Sequence, residues 1–130
     1  MRPPVETVRI SRQGKDQLLK LRRQTGIEHW NVLCRWAFCV SLRDPKPPTP
    51  SLEKLDGGVE MTWKVFAGEQ SDIYAALTQL RASQDDFPTS PDGAAACLRA
   101  HLHRGLSYLA SGTTTRSLSD LTRRWLTTAN

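Results

Sequence analysis

Hydrophobic and polar positions alternate near the start of the chain, which is the pattern of a β-strand. Val8 and Ile10 fall on one side of this segment. Thr7 and Arg9 fall on the other side, because successive side chains of a strand point to opposite faces. We predict that this strand pairs either with its copy in a second subunit or with a later strand near residues 59–66.

The spacing then becomes helical. Ser11 is a favourable N-cap for a helix that runs to about Arg23, and Gly26 fits the left-handed position that often follows a helix end. Leu18 and Leu21 lie on one side of this helix. The basic side chains lie opposite them, within an arc of about 160°. These are Arg12, Lys15, Lys20, Arg22 and Arg23.

A second helix is predicted from Glu28 to Arg43, and apolar side chains cover most of its circumference. A helix that is apolar all round is buried. A chain of 130 residues has room for one core, so an interface between subunits is a natural place for this helix. We expect three aromatic residues there, each able to bury roughly 150–250 Å². They are Trp30, Trp36 and Phe38.

A Pro-rich connector and a second strand follow. Prolines 45, 47, 48 and 50 are incompatible with a helix or a central strand, so we assign residues 44–57 to a connector. Residues 59–66 alternate with a period of two. The side chains predicted to face the core are Val59, Met61, Trp63 and Val65.

Two longer helices are predicted next. The first begins at Ser71 or Asp72 as its cap, and its apolar face is predicted at Ile73, Ala76, Leu77 and Leu80. The second runs from Gly93 to Ala110, with Asp92 as its cap. Its apolar stripe consists of Ala94, Leu98, Leu102, Leu106 and Leu109.

One more helical segment is predicted near the end of the sequence. Ser117 and Asp120 resemble a capping box before Leu121 and Trp125. The elements together predict a mainly α fold: one helical domain over residues 1–130 with two short β-strands, forming a homo-oligomer.

Charge is divided unevenly along this pattern. Residues 1–43 contain nine basic and three acidic side chains, residues 44–92 contain four and nine, and residues 93–130 contain five and one. The overall formal charge is +5. Two basic segments around an acidic middle favour one positive face, and nucleic acid is the leading partner for it. The alternative is that the basic helix face is simply solvated.

Few residues elsewhere in the sequence are candidates for catalysis or metal binding. Cys34, Cys39 and Cys97 lie in apolar helical segments, where free cysteine behaves as a small hydrophobe. Cys97 and His101 share a helix face, but His103 points away from them, and zinc needs about four ligands. We therefore expect no metal site, no cofactor and no catalytic residue.

The sequence also lacks motifs typical of enzymes, of secreted proteins and of membrane proteins. No carboxylates pair on a helix face, and no glycine-rich phosphate loop is present, so we expect a protein that is not an enzyme. The N-terminus does not resemble a signal peptide, and no apolar run reaches the roughly 20 residues of a membrane span. We expect a cytoplasmic protein with reduced thiols.

The order of strand, basic helix, glycine turn and apolar helix resembles half of a ribbon-helix-helix protein. In that family two strands pair across a dimer and enter the major groove of DNA. The resemblance implies that Thr7 and Arg9 face the bases. A ribbon-helix-helix transcriptional regulator is therefore the alternative function.

More specifically, the chain resembles the DndE family, the E proteins of the bacterial Dnd system, which places sulfur in DNA as phosphorothioate. The resemblance covers most of the chain. The segments that carry it include Val8-Arg9-Ile10-Ser11, Thr25-Gly26-Ile27-Glu28-His29-Trp30-Asn31, Gly57-Gly58-Val59-Glu60-Met61 and His101-Leu102.

This resemblance implies a function. The system replaces a non-bridging phosphate oxygen by sulfur, and partner proteins carry the chemistry: a cysteine desulfurase, an iron–sulfur protein and an ATPase-like protein. The small E member is implied to be a non-catalytic homotetramer that binds double-stranded DNA and favours nicked duplex. The resemblance implies backbone contacts by Lys15, Lys20, Arg22 and Arg23. The basic pattern adds Arg9 and Arg12 near the start of the helix, which gives six predicted DNA-binding residues.

Overall fold

The computed structural model describes residues 2–51 and 54–111. These residues form a mainly helical fold with one two-stranded sheet, as predicted. In chain order the elements are β1 (Thr7–Ile10), α1 (Arg12–Thr25), α2 (Trp30–Arg43), β2 (Val59–Thr62), α3 (Trp63–Ala67), a 3-10 turn (Gly68–Gln70), α4 (Ser71–Gln84) and α5 (Pro91–Ser111). The capping pair predicted at Ser117 and Asp120, before Leu121 and Trp125, lies outside the described residues.

The sheet joins the two strands of this one chain. β1 runs antiparallel to β2, with Thr7 opposite Thr62 and Ile10 opposite Val59. Of the two pairings that the sequence left open, the pairing with the later strand is therefore the one found. Val8 and Ile10 are buried, as the alternation predicts. This pairing differs from the ribbon-helix-helix arrangement, in which the strand pairs with its copy in the partner.

The predicted strand over residues 59–66 is only half correct. It ends at Thr62, whose hydroxyl accepts a hydrogen bond from the Val65 amide at 3.2 Å and caps the short helix α3. Helical spacing then buries Trp63 and Phe66, while Val65 is 50% exposed. The prediction that Val65 faces the core is wrong, because the threonine cap changes the period from two to 3.6.

Both predicted caps of the basic helix are confirmed. The Ser11 hydroxyl accepts from the Gly14 amide at 3.0 Å, and α1 begins at the next residue after the cap. Gly26 has a φ of 76° and donates its amide to the Arg22 carbonyl. Helix α2 begins at Trp30, two residues later than predicted.

The apolar helix α2 packs within the chain itself. Phe38 is fully buried in the chain's own core, so its predicted place at a subunit interface is wrong. Trp30 and Trp36 pack against that core and remain partly exposed. Helices α2 and α5 approach so closely that a Cβ atom at Gly105 would overlap the Ala37 carbonyl oxygen. The leucine stripe predicted for α5 is also buried, at Leu98, Leu102, Leu106 and Leu109.

Helix α4 buries a different face from the one that the sequence predicts. Ile73 and Leu80 are 55% and 54% exposed, so the predicted apolar face is wrong. The buried positions are Ala75, Thr78, Arg81 and Ala82. Arg81 is tolerated inside because its guanidinium donates to the carbonyl oxygens of Leu42 and Asp44 at 2.7 and 3.1 Å. These carbonyls are among those left unpaired at the end of α2.

The first part of the connector, residues 44–51, contains no helix or strand, as its prolines require. Three side chains of α5 tie it down, one of which is Arg99, whose guanidinium donates to the Ser51 carbonyl at 3.2 Å. Arg104 donates to the Lys46 carbonyl at 2.7 Å, and the Tyr108 hydroxyl donates to the Asp44 carboxylate at 2.6 Å. In the described part of the chain, none of the helices has the length and apolar character needed to cross a membrane.

Candidate nucleic-acid interface

One side of α1 is buried and the opposite side is basic, as the spacing predicts. Leu18 and Leu21 are fully buried. Arg12 and Arg23 are exposed, and Lys15 is partly exposed. Within residues 2–51 and 54–111, no hydrogen bond or ion pair engages the charged groups of these three residues. They form what we call the open cation face: Arg12, Lys15 and Arg23.

An acidic residue also lies on this side of the helix. Asp16 is exposed and one residue from Lys15. It was not among the predicted site residues, although its helical position falls inside the basic arc. Helix α1 nevertheless contains five basic side chains and this one acid, a net of +4. The face remains strongly positive.

Lys20 and Arg22 have structural partners. The Lys20 ammonium donates to the Ala110 carbonyl at 2.7 Å and so holds the C-terminal end of α5 against α1. A cation at this end of a helix is favourable because the last carbonyls are unpaired and carry partial negative charge. The Arg22 guanidinium lies 4.5 Å from the centre of the Trp30 ring. This cation–π contact holds the Arg22 guanidinium over the ring.

Arg9 and Arg12 lie near the start of the face. Arg9 projects from β1 and pairs with Glu60 of β2 at 3.0 Å, with both side chains substantially exposed. An exposed pair of this kind contributes little to stability, so a polyanion can compete for Arg9. The Arg12 guanidinium lies against Gly57, where a Cβ atom would come within 2.7 Å of a guanidinium nitrogen. The glycine therefore leaves room for Arg12 at the end of the connector.

A second cluster of polar side chains lies buried between α2, α4 and α5. The Arg104 Nε donates to the Ser41 hydroxyl at 2.8 Å, and that hydroxyl lies 2.8 Å from His101 Nδ1. His101 Nε2 lies 2.9 Å from the Asp85 carboxylate, which also pairs with Arg81 at 3.4 Å. One orientation satisfies every member: Ser41 donates to Nδ1 of a neutral His101, and Nε2–H donates to Asp85.

This buried network has the order of a serine–histidine–aspartate triad but not its accessibility. Ser41 and His101 are both 0% exposed, so no substrate reaches the hydroxyl. The Ser41 oxygen also accepts a hydrogen bond from Arg104, which lowers its nucleophilicity. Burial lowers the pKa of His101, while the hydrogen bond to Asp85 opposes that shift. The network is therefore suited to holding three helices together. Sequence spacing did not reveal it, since Ser41 and His101 are 60 residues apart.

The same region brings Asp85 to the Cys97–His101 pair. The potential ligand atoms of these three residues lie within 4.8 Å of one another. Each is already engaged: the Cys97 thiol donates to the Thr78 carbonyl at 3.8 Å, and His101 and Asp85 bond to each other. Burial raises the pKa of Cys97 to about 12, which disfavours the thiolate that a metal requires. The neighbouring Arg81 cation also disfavours a second positive charge here.

Two further candidate residues from the sequence, His103 and Cys34, lie outside this cluster. His103 Nε2 accepts from the Ser11 amide at 3.1 Å, on the side of α5 that faces the start of α1. It points away from His101, as predicted from the helical spacing. Cys34 is fully buried, and burial raises its pKa to about 12, so it is poorly suited to nucleophilic attack.

Two solved structures have a similar fold. The crystal structure of DndE from Escherichia coli B7A, involved in DNA phosphorothioation modification, shares 27% sequence identity with a TM-score of 0.65. The alignment covers 81% of this chain and 97% of that one. The crystal structure of a DndE mutant, at 24% identity and a TM-score of 0.64, covers 80% of this chain and 96% of that one and supports the fold alone. A search of curated proteins found no match.

The family assignment rests on a match to most of the sequence. The family described as DNA sulphur modification protein DndE matches residues 7–117. This range includes every helix and strand of the fold and all six predicted DNA-binding residues. The resemblance found in the sequence is thereby confirmed: the chain belongs to the DndE family of DNA sulfur modification proteins.

Proposed function

We propose that this chain is the DNA-binding, non-catalytic subunit of a phosphorothioation system and that it holds duplex DNA by its backbone. The observation that carries the proposal is the open cation face. Arg12, Lys15 and Arg23 present charge along one exposed side of α1 with no described partner to neutralise it. Long cations of this kind neutralise phosphates and release counterions.

Backbone contact fits this face better than base reading. The charged groups are carried on the outside of a helix whose opposite side is buried by Leu18 and Leu21. Phosphate contacts fix position and orientation on the duplex without reading sequence. The residues that a ribbon-helix-helix protein would use are differently engaged, because β1 pairs with β2 and Arg9 pairs with Glu60.

A non-catalytic role is consistent with the chemistry of the buried groups. The two cysteines with the strongest rise in pKa, Cys34 and Cys97, are both fully buried. Ser41 and His101 form a closed network with no exposed atom. We therefore assign the sulfur chemistry to the partner proteins of the system, and we place the complex in the cytoplasm, where its DNA substrate lies.

We further propose that the chain acts as a homotetramer. Helix α2 retains a mostly apolar outer side, where Val32, Trp36 and Cys39 line a groove of about 320 Å³ together with Arg35 and with Tyr74 of α4. A second copy is the occupant that the apolar lining favours, since large exposed apolar patches mark interaction sites. Symmetric repetition would multiply the open cation face and give multivalent binding.

Light scattering tests the oligomer. The tetramer predicts a mass near four times the 14.6 kDa of the chain. Trp36→Glu should lower that mass, because a charge would be buried in the groove. Leu80→Glu, on the exposed side of α4, is a comparison at a site outside the groove. A monomeric mass for the unmodified chain would contradict the tetramer.

The DNA-binding proposal is tested by neutralising the open cation face. The triple variant Arg12→Gln, Lys15→Gln and Arg23→Gln should weaken duplex binding on the order of 100-fold near 0.15 M salt if all three contact phosphates. Lys20 is left intact because it anchors α5. Fluorescence anisotropy with a labelled duplex measures the affinity.

A matched control removes the same charge elsewhere. Lys46, Lys54 and Lys64 are exposed and lie in the acidic segment of residues 44–92. Their replacement by glutamine should change affinity far less. Equal affinities for the open-face variant and the unmodified chain would rule out the proposed face. Intact and nicked duplexes of one sequence form a second comparison, in which the nicked duplex should bind more tightly because it bends at lower cost.

A further inference from the structure

Helix α4 carries an apolar stripe on its exposed side. Among the residues that the structure describes, the large apolar side chains that are at least half exposed are Val65, Ile73 and Leu80, and the last two belong to α4. Ala76 is exposed and Leu77 is partly exposed between them. Side chains at this spacing lie on one side of a helix. We call these four residues of α4 the outer stripe: Ile73, Ala76, Leu77 and Leu80.

The face that α4 buries lies on the opposite side of the helix. The buried residues are Ala75, Thr78, Arg81 and Ala82. At 100° per residue their mean direction is about 160° from that of the outer stripe. The contact of α4 with the core therefore leaves most of the stripe uncovered. Apolar side chains gathered on one exposed side mark an interaction site.

The exposed charge around the outer stripe is negative. Residues 65–92 contain five acidic side chains and one basic side chain, Arg81, which is buried. Glu69 is exposed just before α4, and Asp86 is exposed just after it. An apolar surface with a carboxylate beyond each end is therefore what α4 offers to another molecule.

This charge selects among three kinds of occupant. A DNA backbone would be repelled by the carboxylates. Two copies of α4 packed along their lengths would also bring acids together, since a parallel pair sets Glu69 beside Glu69 and an antiparallel pair sets Glu69 beside Asp86. A helix of another protein, apolar on one side and with Lys or Arg beyond each end of that side, matches both the stripe and the acids.

We propose that the outer stripe is the docking site for an amphipathic helix of a second protein, with apolar side chains three or four residues apart and flanking Lys or Arg. The inference rests on the proposed function, because a subunit without chemistry of its own must bring bound DNA to the proteins that modify it. It assigns the DNA to α1 and the protein partner to α4.

A pair of synthetic helical peptides tests the contact directly. Both have leucine at positions i, i+4 and i+7, and they differ only in having Lys or Glu at the flanking positions. The Lys peptide should bind the full-length chain on the order of tenfold more tightly than the Glu peptide, and high salt should reduce this preference. Fluorescence anisotropy of the labelled peptides measures both affinities.

The outer stripe is tested by truncation without a change of charge. Ile73→Ala combined with Leu80→Ala should weaken binding of the Lys peptide on the order of tenfold. The matched control is Gln79→Ala combined with Ser83→Ala, at exposed positions of α4 outside the stripe, and it should keep the unmodified affinity.

The role in DNA modification is tested in cells in which the variant replaces the unmodified chain. The variant with Ile73 and Leu80 replaced should lower the phosphorothioate content of the DNA, while the purified protein keeps its affinity for duplex. The variant with Gln79 and Ser83 replaced should keep the normal content. An unchanged content in the stripe variant would contradict the docking site.

The other outcomes separate this proposal from the proposed function. If both peptides bind equally, or if the stripe variant binds the Lys peptide as tightly as the unmodified chain, the docking site is refuted and DNA binding by α1 stands. If the Arg12, Lys15 and Arg23 variant keeps its duplex affinity, the proposed function itself fails. A lower mass of the stripe variant in light scattering would identify a second copy as the occupant. A lower melting temperature would show that the chain covers the stripe itself, and either result would overturn the proposal.

Discussion

At the scale of residues, the basic side chains fall into two groups: those with structural partners and those without a partner among the described residues. Lys20 holds the end of α5, and Arg81 and Arg104 donate to carbonyls at the end of α2. Arg12, Lys15 and Arg23 have no such duty among the described residues. Sequence spacing alone would group Lys20 with these three residues. The position of a residue along a helix indicates which way its side chain points, but not which group it contacts. Removal of Lys20 would therefore confuse a loss of fold with a loss of DNA contact.

His101 gives a prediction at the same scale. Burial lowers its pKa below the ordinary value of 6.5, so the unfolded chain takes up a proton before the folded chain does. The stability due to neutral His101 is therefore fully present above about pH 6.5 and decreases as the pH falls below it. Urea unfolding at pH 7.5 and 5.5 measures the difference.

The control for this prediction is the variant His101→Gln. It should be less stable than the unmodified chain at pH 7.5, because Asp85 and Ser41 lose their partner. Its stability should depend less on pH between the two values. An equal pH dependence in both proteins would show that His101 is not the group responsible.

At the scale of elements, local chemistry explains what the sequence could predict. The Ser11 and Gly26 caps, the alternation of Val8 and Ile10 and the leucine spacing of α5 are short-range patterns, and each is confirmed. The errors involve long-range partners. Leu80 is exposed because Arg81, one residue away, finds carbonyls at the end of α2. No pattern within α4 shows that such partners exist.

The contact between α2 and α5 yields a prediction at this scale. Gly105→Ala would place a methyl group on the Ala37 carbonyl oxygen, so the two helices would have to separate. We expect a loss of at least about 2 kcal/mol of unfolding free energy, typical of an overpacked core. Ser107→Ala, at an exposed position of α5, should change it by less than about 0.5 kcal/mol. Chemical denaturation of both variants measures the difference, and equal stabilities would contradict the close approach.

At the scale of the whole molecule, a buried polar network and an exposed basic face lie on different helices. The network of Ser41, Asp85 and His101 joins three helices on the inside. The open cation face lies on the outer side of α1, and Lys20 of the same helix holds the end of α5. The proposed function assigns DNA binding to this face and the covalent chemistry to partner proteins. The family assignment places the chain among DNA sulfur modification proteins.

The most direct test of the central claim is the salt dependence of duplex binding. Affinity is measured for the unmodified chain and for the Arg12, Lys15 and Arg23 variant over a series of salt concentrations, on two duplexes of unrelated sequence. Backbone binding by α1 predicts the same steep slope on both duplexes and a slope shallower by about 2.7 in the variant. A slope that the three substitutions leave unchanged would contradict it.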